Sequence, residues 1–339
     1  MVELWMLTFP PPGAAGLLAE FAETAGWDGV VFADTQNLAA DVYGSLCLAA
    51  AATSTLRLGT GVTNPVTRHP AVTASAIATV QAASGGRAVL GIGRGDSSLA
   101  HIGRDPERVD AFERYVERVQ AYLRGEPVDL GDGVTSRNEW IGTLAQPKVP
   151  VDVAATGPRV IGIGARLAER VTFAVGAEPE RVAAAIATAR RAREEVGLDP
   201  MGVSLGAYVN VVTHPDLATA RTMVRGGLGS FAHFSGMPGA PTIEGPDAAV
   251  YGALTTGYDM ARHGSTGAAH QAALPDEFVD RFGVVGPSAD VTRRLRELVE
   301  LGLDRLVVIG GSRDVDPGEL LAANRRLMAE VAPALRGSV

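Results

Sequence analysis

Residues 56–96 read LRLGTGVTNPVTRHPAVTASAIATVQAASGGRAVLGIGRGD. Two apolar runs, Leu56–Gly61 and Ala88–Ile92, flank a stretch in which Ala76, Ile77, Val80 and Ala83 share a helical face, stopped by Gly85 and Gly86. The candidate strands are mostly not alternating: Ala88–Ile92 is apolar throughout, and the first run is interrupted at Arg57 and Thr60. A strand that is apolar at nearly every position is covered on both faces, as in a parallel sheet under helices. The segment therefore predicts a strand, a helix and a second, parallel strand.

The same unit recurs in both directions. Further candidate strands are Glu3–Thr8, Gly29–Ala33, Val151–Ala154, Val171–Val175, Leu205–Val212 and Arg305–Ile309. A helix is expected from Pro106, where Val109, Phe112, Val116, Val119 and Leu123 recur at spacings of three and four. Asp105 is placed to cap it and Gly125 to end it. Another is expected from Ser288, with Val291, Leu295 and Leu298 on one face and Gly302 after it. Strands alternating with helices over 339 residues fit a (β/α)8 TIM barrel of the α/β class, a single domain over 1–339. A doubly wound open sheet is the alternative. The helix Pro317–Val331 is expected to close the barrel.

Two connections exceed ordinary loop length: Gly93–Asp105, and a lid-like insertion at about 231–286 with a helix around Val250, Leu254 and Tyr258. In a barrel such loops cover the catalytic face. The insertion carries Phe231, Phe234, Met237, Tyr251 and Tyr258. They suit an organic ligand, or else build the lid's own small core.

Composition narrows the functional classes. The chain is 46% hydrophobic with a formal net charge of −8, and its only lysine is Lys148. No long basic run appears, so nucleic acid has little electrostatic footprint to hold. The single cysteine, Cys47, excludes an intrachain disulfide and a cysteine zinc site. The six histidines show no metal-ligand spacing, and no metal is expected. Residues 1–8 contain no Lys or Arg, so no signal-peptide start is read there. No apolar stretch reaches the roughly 18 residues of a spanning helix. A cytoplasmic protein without a membrane partner is expected.

Candidate site residues lie where strands end. Asp34 ends the second strand, a position that reads as functional in a barrel, although it could equally cap the next segment. Thr60-Gly61-Val62-Thr63-Asn64-Pro65 ends the third. Its glycines let another group approach, or the segment is a tight turn punctuated by Asn64-Pro65. Gly91-Ile92-Gly93-Arg94-Gly95-Asp96 ends the fourth; it lacks the phosphate-loop lysine and the dinucleotide fingerprint, and otherwise reads as a hinge. Thr156-Gly157-Pro158 opens a helix, where free N–H groups bind anions or Thr156 simply caps. Gly176-Ala177, after the sixth strand, could share one phosphate with them.

The run Leu58–Asp96, with Phe282–Pro287 and Leu301–Asp304, resembles the bacterial luciferase-like superfamily. Within it the chain is similar to the methylenetetrahydromethanopterin reductase branch, which uses coenzyme F420, a 5-deazaflavin. The resemblance covers most of the barrel. It implies a cis peptide at Gly61–Val62 and ring contacts from Asp34, Gly61, Val62, Thr63, Asn64 and Asp96. Asp34 and Asp96 would be catalytic, and the phosphate would lie over Thr156, Gly157, Gly176 and Ala177. Arg68 and Arg94 would reach an acidic tail, or remain surface arginines. Related deazaflavin dehydrogenases place histidine after the strand-two acid, where this chain has Thr35, a residue without a useful proton near neutrality.

The resemblance implies reversible hydride transfer between the deazaflavin and a small organic substrate, in a homodimer. The rivals are an FMN-dependent monooxygenase supplied by a partner flavin reductase and a non-catalytic flavin-binding protein.

Overall fold

The structure, a computed structural model, describes residues 1–235 and 247–337. Met237, expected in the lid, lies outside the described residues. The strands are β1 (Glu3–Thr8), β2 (Gly29–Phe32), β3 (Arg57–Thr60), β4 (Ala88–Ile92), β5 (Val128–Gly131), β6 (Val134–Ser136), β7 (Val151–Ala155), β8 (Arg170–Phe173), β9 (Ser204–Thr213), β10 (Val284–Gly286) and β11 (Arg305–Ile309). One sheet runs β10-β9-β11-β1-β2-β3-β4-β7-β8, and β8 pairs back to β9. β5 and β6 form a separate antiparallel hairpin. Apart from β10, which extends β9 in parallel register, the large sheet holds the eight expected strands as a closed ring with helices between them. This is the (β/α)8 barrel.

By internal packing the chain divides into two compact units, one of Met1–Met6, Ala155–Gly162 and Thr172–Val339, the other of Leu7–Ala154 and Ile163–Val171. Every residue of β2 and of β4 is buried, which is why these runs carry no polar alternation. Arg305 is the exception in β11. It is 1% exposed and donates to Ser204 Oγ and Thr172 Oγ1 at 2.8 and 2.9 Å.

Three expected boundaries are corrected. The helix expected from Pro106 begins at Val109. Glu107 is held by Arg94 instead: its N–H donates to the Arg94 carbonyl at 2.9 Å, and Arg94 Nε donates to its carbonyl. That closure keeps Asp105 and Pro106 in the loop. The lid does not begin at Phe231, because the helix Leu217–Ser235 continues through it. The last helix, Pro317–Arg326, passes through a π turn at Leu327–Val331 and resumes as Ala332–Arg336. The wider turn accommodates Pro333, which lacks an N–H and crowds the preceding turn.

Glu23 anchors the loop before β3. Its Oε1 accepts from the N–H groups of Thr55 and Leu56 at 2.6 and 2.9 Å and from the Thr55 hydroxyl at 2.8 Å; Ser54 N–H adds a further bond at 2.9 Å. Burial opposes its charge, but these bonds outweigh burial and lower its pKa from 4.5 to about 2. A depressed carboxyl pKa stabilises the fold above the unfolded value, and the contribution fades as pH falls from about 4.5 toward 2. Glu23→Gln should therefore cost about 1 kcal/mol at pH 7, after discounting for solvent screening. The difference from the parent should shrink toward pH 2. Urea unfolding across that range checks it, and a gap that does not change with pH counts against the assignment.

Candidate functional site

Phe32 and Thr60 are register partners in β2 and β3. Just beyond them the two strands enter adjacent loops, which brings Asp34 and Thr63 together. The Thr63 hydroxyl donates to Asp34 Oδ2 at 2.7 Å. Arg68 closes on the same carboxylate with both terminal nitrogens, Nη1 to Oδ2 and Nη2 to Oδ1, the latter at 3.3 Å. Asp34 is 5% exposed. A buried carboxylate is tolerable only when paired in this way.

Arg68 is itself held from several sides. Nη2 lies 3.4 Å from Asp41 Oδ2. The guanidinium carbon is 4.9 Å from the centroid of the Tyr43 ring. Tyr115 donates its hydroxyl to the Arg68 carbonyl at 2.8 Å, while Thr73 Oγ1 lies 2.7 Å from the same phenol. Burial opposes the positive charge, but Asp34, followed by Tyr43 and Asp41, outweighs it, and the Arg68 pKa rises above the ordinary guanidinium value. Burial, and then the Asp34 charge, push the Tyr43 phenol far up. The side chain that sequence offered as a tail contact or a surface arginine is thus the partner of Asp34. Arg94 is likewise engaged by its own loop, through Glu107.

The Gly61–Val62 peptide is cis. Both residues are half-buried, whereas Thr60, Thr63 and Asn64 on either side are buried. A half-buried apolar edge therefore sits beside the buried ion pair. Asn64 shapes the turn that follows: its Oδ1 accepts from Val66 N–H and Thr67 N–H, each at 3.0 Å, and its Nδ2 donates to Ser98 Oγ at 3.3 Å. Gln36 donates to the Ser98 carbonyl at 2.7 Å. The loops after β2, β3 and β4 are knitted at one end of the strands. Thr35 is 8% exposed, and its carbonyl accepts from Leu38 and Ala39 N–H groups. It opens a turn. Asp96 precedes the short helix Ser97–Ala100 and does not cap it with its side chain.

The glycines of this region have packing causes. A Cβ on Gly61 would stand 2.7 Å from Val31 Cγ2, on Gly91 2.0 Å from the Thr60 carbonyl oxygen, and on Gly93 3.1 Å from Val62 Cγ2. The close approach inferred from sequence is made by the protein itself.

In the other unit, Thr156 and Gly157 are half-buried before the helix Pro158–Leu167. Gly176 and Ala177 are buried. The Ala177 N–H donates to the Phe282 carbonyl at 2.8 Å, and a Cβ on Gly176 would meet the Phe282 ring at 2.7 Å. Ala177 therefore has its N–H committed within the protein. Nearby, Arg294 gathers the carbonyls of Asp280, Gly283, Arg281 and Ala177. Arg181 donates to Tyr251 Oη and Ser235 Oγ. Sequence reading singled out neither arginine.

The lid's aromatic residues make a core of their own. Val250, Tyr251, Leu254, Phe278 and Phe282 pack with the inner face of helix Leu217–Ser235, and Phe231 and Tyr258 join them. His69 caps the helix Pro70–Ala83 by accepting from Ala71 N–H at 3.3 Å. Among the described residues no three His, Cys, Asp or Glu side chains are placed to hold a metal ion, and no helix is long and apolar enough to cross a membrane.

Comparison with known proteins adds three likenesses and a family match. The family model described as luciferase-like monooxygenase matches residues 5–305. A 5,10-methylenetetrahydromethanopterin reductase of Methanolobus tindarius is 28% identical over 295 residues, covering 85% of this chain and 87% of the relative. The solved structure of a coenzyme F420-dependent tetrahydromethanopterin reductase from Methanopyrus kandleri superposes with a TM-score of 0.75 at 23% identity, covering 98% of this chain and 99% of that one. An F420-dependent secondary alcohol dehydrogenase, solved with an F420–acetone adduct, superposes with a TM-score of 0.74 at 18% identity, covering 99% of each chain.

Proposed function

The chain belongs to the luciferase-like monooxygenase family, and from that premise we propose that it is a coenzyme F420-dependent oxidoreductase acting on a small organic substrate. The observation that carries the reading is the half-buried Gly61–Val62 edge beside the buried Asp34 carboxylate. An apolar edge next to a fixed charge pair suits a flat ring with polar atoms on one side. The names of the relatives favour the deazaflavin over FMN.

When bound, a deazaflavin supplies a ring carbon that takes up or releases hydride. Gly61 and Val62 would support the ring. Asn64 holds the turn that presents them, through its bonds to Val66 and Thr67. Asp34 has both oxygens occupied by Thr63 and Arg68, so its part is to fix the local field and the turn rather than to carry a proton. Asp96 is proposed as the carboxylate at the ring edge, because it follows β4 and adjoins the helix whose Ser98 is bonded to Asn64. Thr156 and Gly157 are proposed as the phosphate contacts, since they are the less buried of the four backbone positions; Gly176 and Ala177 would shape that region, the Ala177 N–H being committed to Phe282. A cytoplasmic homodimer completes the reading. It is supported by Leu17 and Leu48, 70% and 52% exposed on two neighbouring helices, and sedimentation equilibrium tests the stoichiometry.

Equilibrium fluorescence titration with coenzyme F420 and with FMN tests the cofactor. At least about tenfold tighter F420 binding is expected, equivalent to about 1.4 kcal/mol. Tighter FMN binding, with oxygen consumed by the reduced complex, would support a monooxygenase instead. Binding without turnover of any alcohol, ketone or imine would support a non-catalytic flavin protein.

A further inference from the structure

Three imidazoles converge on one phenol in the segment after helix Leu217–Ser235. The Tyr258 ring stacks on His233, with centroids 4.2 Å apart and planes at 19°, and on His270, at 4.2 Å and 31°. His263 meets it edge-on at 5.8 Å. His263 and His270 are buried.

The hydrogen bonds have a fixed direction. The Ser230 hydroxyl donates to the Gly226 carbonyl at 3.0 Å, and a carbonyl only accepts. Tyr258 therefore donates to Ser230 Oγ at 2.9 Å, and His263 donates through Nδ1 to Tyr258 Oη at 2.8 Å. The phenol serves as a post for the segment, with its proton committed to Ser230.

His270 has the opposite polarity. Its Nδ1 accepts the Asp259 N–H at 3.2 Å, which requires a lone pair there, and its Nε2 lies 3.2 Å from the Gln271 amide nitrogen, also a donor. A doubly protonated ring carries an N–H on both sides, each facing a donor. At Nδ1 the added proton turns the acceptor of the Asp259 bond into a second donor. Asp259 starts the turn Met260–Arg262, with its side chain accepting from Ala261 N–H at 3.0 Å, and that turn leads into His263. Losing the Asp259 bond therefore disturbs both Tyr258 and His263.

We propose that His270 is a proton switch that seats residues 258–264 when neutral and releases them when protonated. The charged and titratable groups around it are Asp259, which favours its charge, and His233, which opposes it, with Tyr258 on its face and His263 beyond the phenol. Arg262 and Arg313 border the turn, bonded to the carbonyls of Gly267 and His263. Burial, the largest influence, lowers the His270 pKa from its ordinary 6.5. A lowered imidazole pKa means that the seated form is favoured above the ordinary value and loses that advantage as pH falls through the folded one. The next stretch stays tied. Asp314 accepts from Thr266 N–H and Oγ1 at 2.8 and 2.9 Å, and these bonds with Ser265 and Gly267 outweigh burial and hold its pKa at about 2. Release is therefore confined to the N-terminal side of residue 265.

Hydrogen–deuterium exchange of the full chain at pH 7.5 and 5.5, each corrected to intrinsic exchange rates, tests this. Peptides covering 258–264 should lose at least tenfold in protection at pH 5.5, while those covering β2 to β4 keep theirs. In His270→Asn the amide oxygen stands where Nδ1 accepts, and it takes up no proton. That variant should keep its protection at both pH values. Equal protection of the parent at both pH values, a loss spread over the whole chain, or a tenfold loss retained in His270→Asn would each overturn the proposal. If His270→Asn is not folded at pH 7.5, imidazole NMR titration of the parent decides. The loss must track the His270 signal, and tracking His233 or His263 refutes the assignment.

Discussion

Arg68→Met is expected to cost about 3–5 kcal/mol of folding stability, among the largest effects available to a single side chain here. The reason is what it leaves behind. Asp34 is 5% exposed, and without the guanidinium its carboxylate keeps only the Thr63 hydroxyl. An unpaired buried charge is far more costly than a missing pair. The double variant Asp34→Asn/Arg68→Met should therefore be more stable than Arg68→Met alone, recovering about half of the loss or more. Urea unfolding of the parent, both single variants and the double variant gives the coupling directly. A loss below about 1 kcal/mol for Arg68→Met would mean that water reaches the carboxylate and the pair is an exposed one. Asp34→Asn is the informative single change for function, since it keeps shape and removes charge. If F420 affinity is unchanged in that variant, the carboxylate only holds the turn and plays no part in the cofactor's field.

The barrel was legible because its strands are buried on both faces, and burial leaves a plain mark: runs such as Ala88–Ile92 with no polar alternation. The Asp34–Arg68 pair left no such mark. Its partners are 34 positions apart in sequence, and they meet only because Phe32 and Thr60 share a register in neighbouring strands. Periodicity cannot report an adjacency created by the sheet. The same holds for Tyr258, whose neighbours His233 and Ser230 come from helix Leu217–Ser235. Asn64-Pro65 was legible as turn punctuation, and Asn64 does build the turn through Val66 and Thr67. The helix start at Pro106 misled because local capping signals compete with tertiary bonds, and the Arg94–Glu107 closure outweighed them.

Gly91→Ala is the second large effect expected, and it tests why the glycines after β3 and in β4 are there. A methyl group on Gly91 would stand 2.0 Å from the Thr60 carbonyl oxygen, a backbone atom that can move only if β3 moves. Overpacking of side chains usually costs about 1–3 kcal/mol, and a clash with fixed backbone belongs at or above the top of that range. The disturbance would also reach the site. The Gly91 carbonyl accepts from Thr63 N–H at 3.0 Å and from Thr60 Oγ1 at 2.6 Å, so shifting it displaces the turn from which Thr63 reaches Asp34. Gly93→Ala is the control. Its methyl would meet Val62 Cγ2 at 3.1 Å, a side chain that can give by a few tenths of an ångström. It should cost about 1 kcal/mol or less in stability, with its main effect on cofactor affinity through Val62. Urea unfolding with an unchanged m-value, paired with F420 titration of each variant, separates the two cases. If Gly91→Ala unfolds like the parent and loses only affinity, the glycine makes room for a ligand and the packing explanation fails.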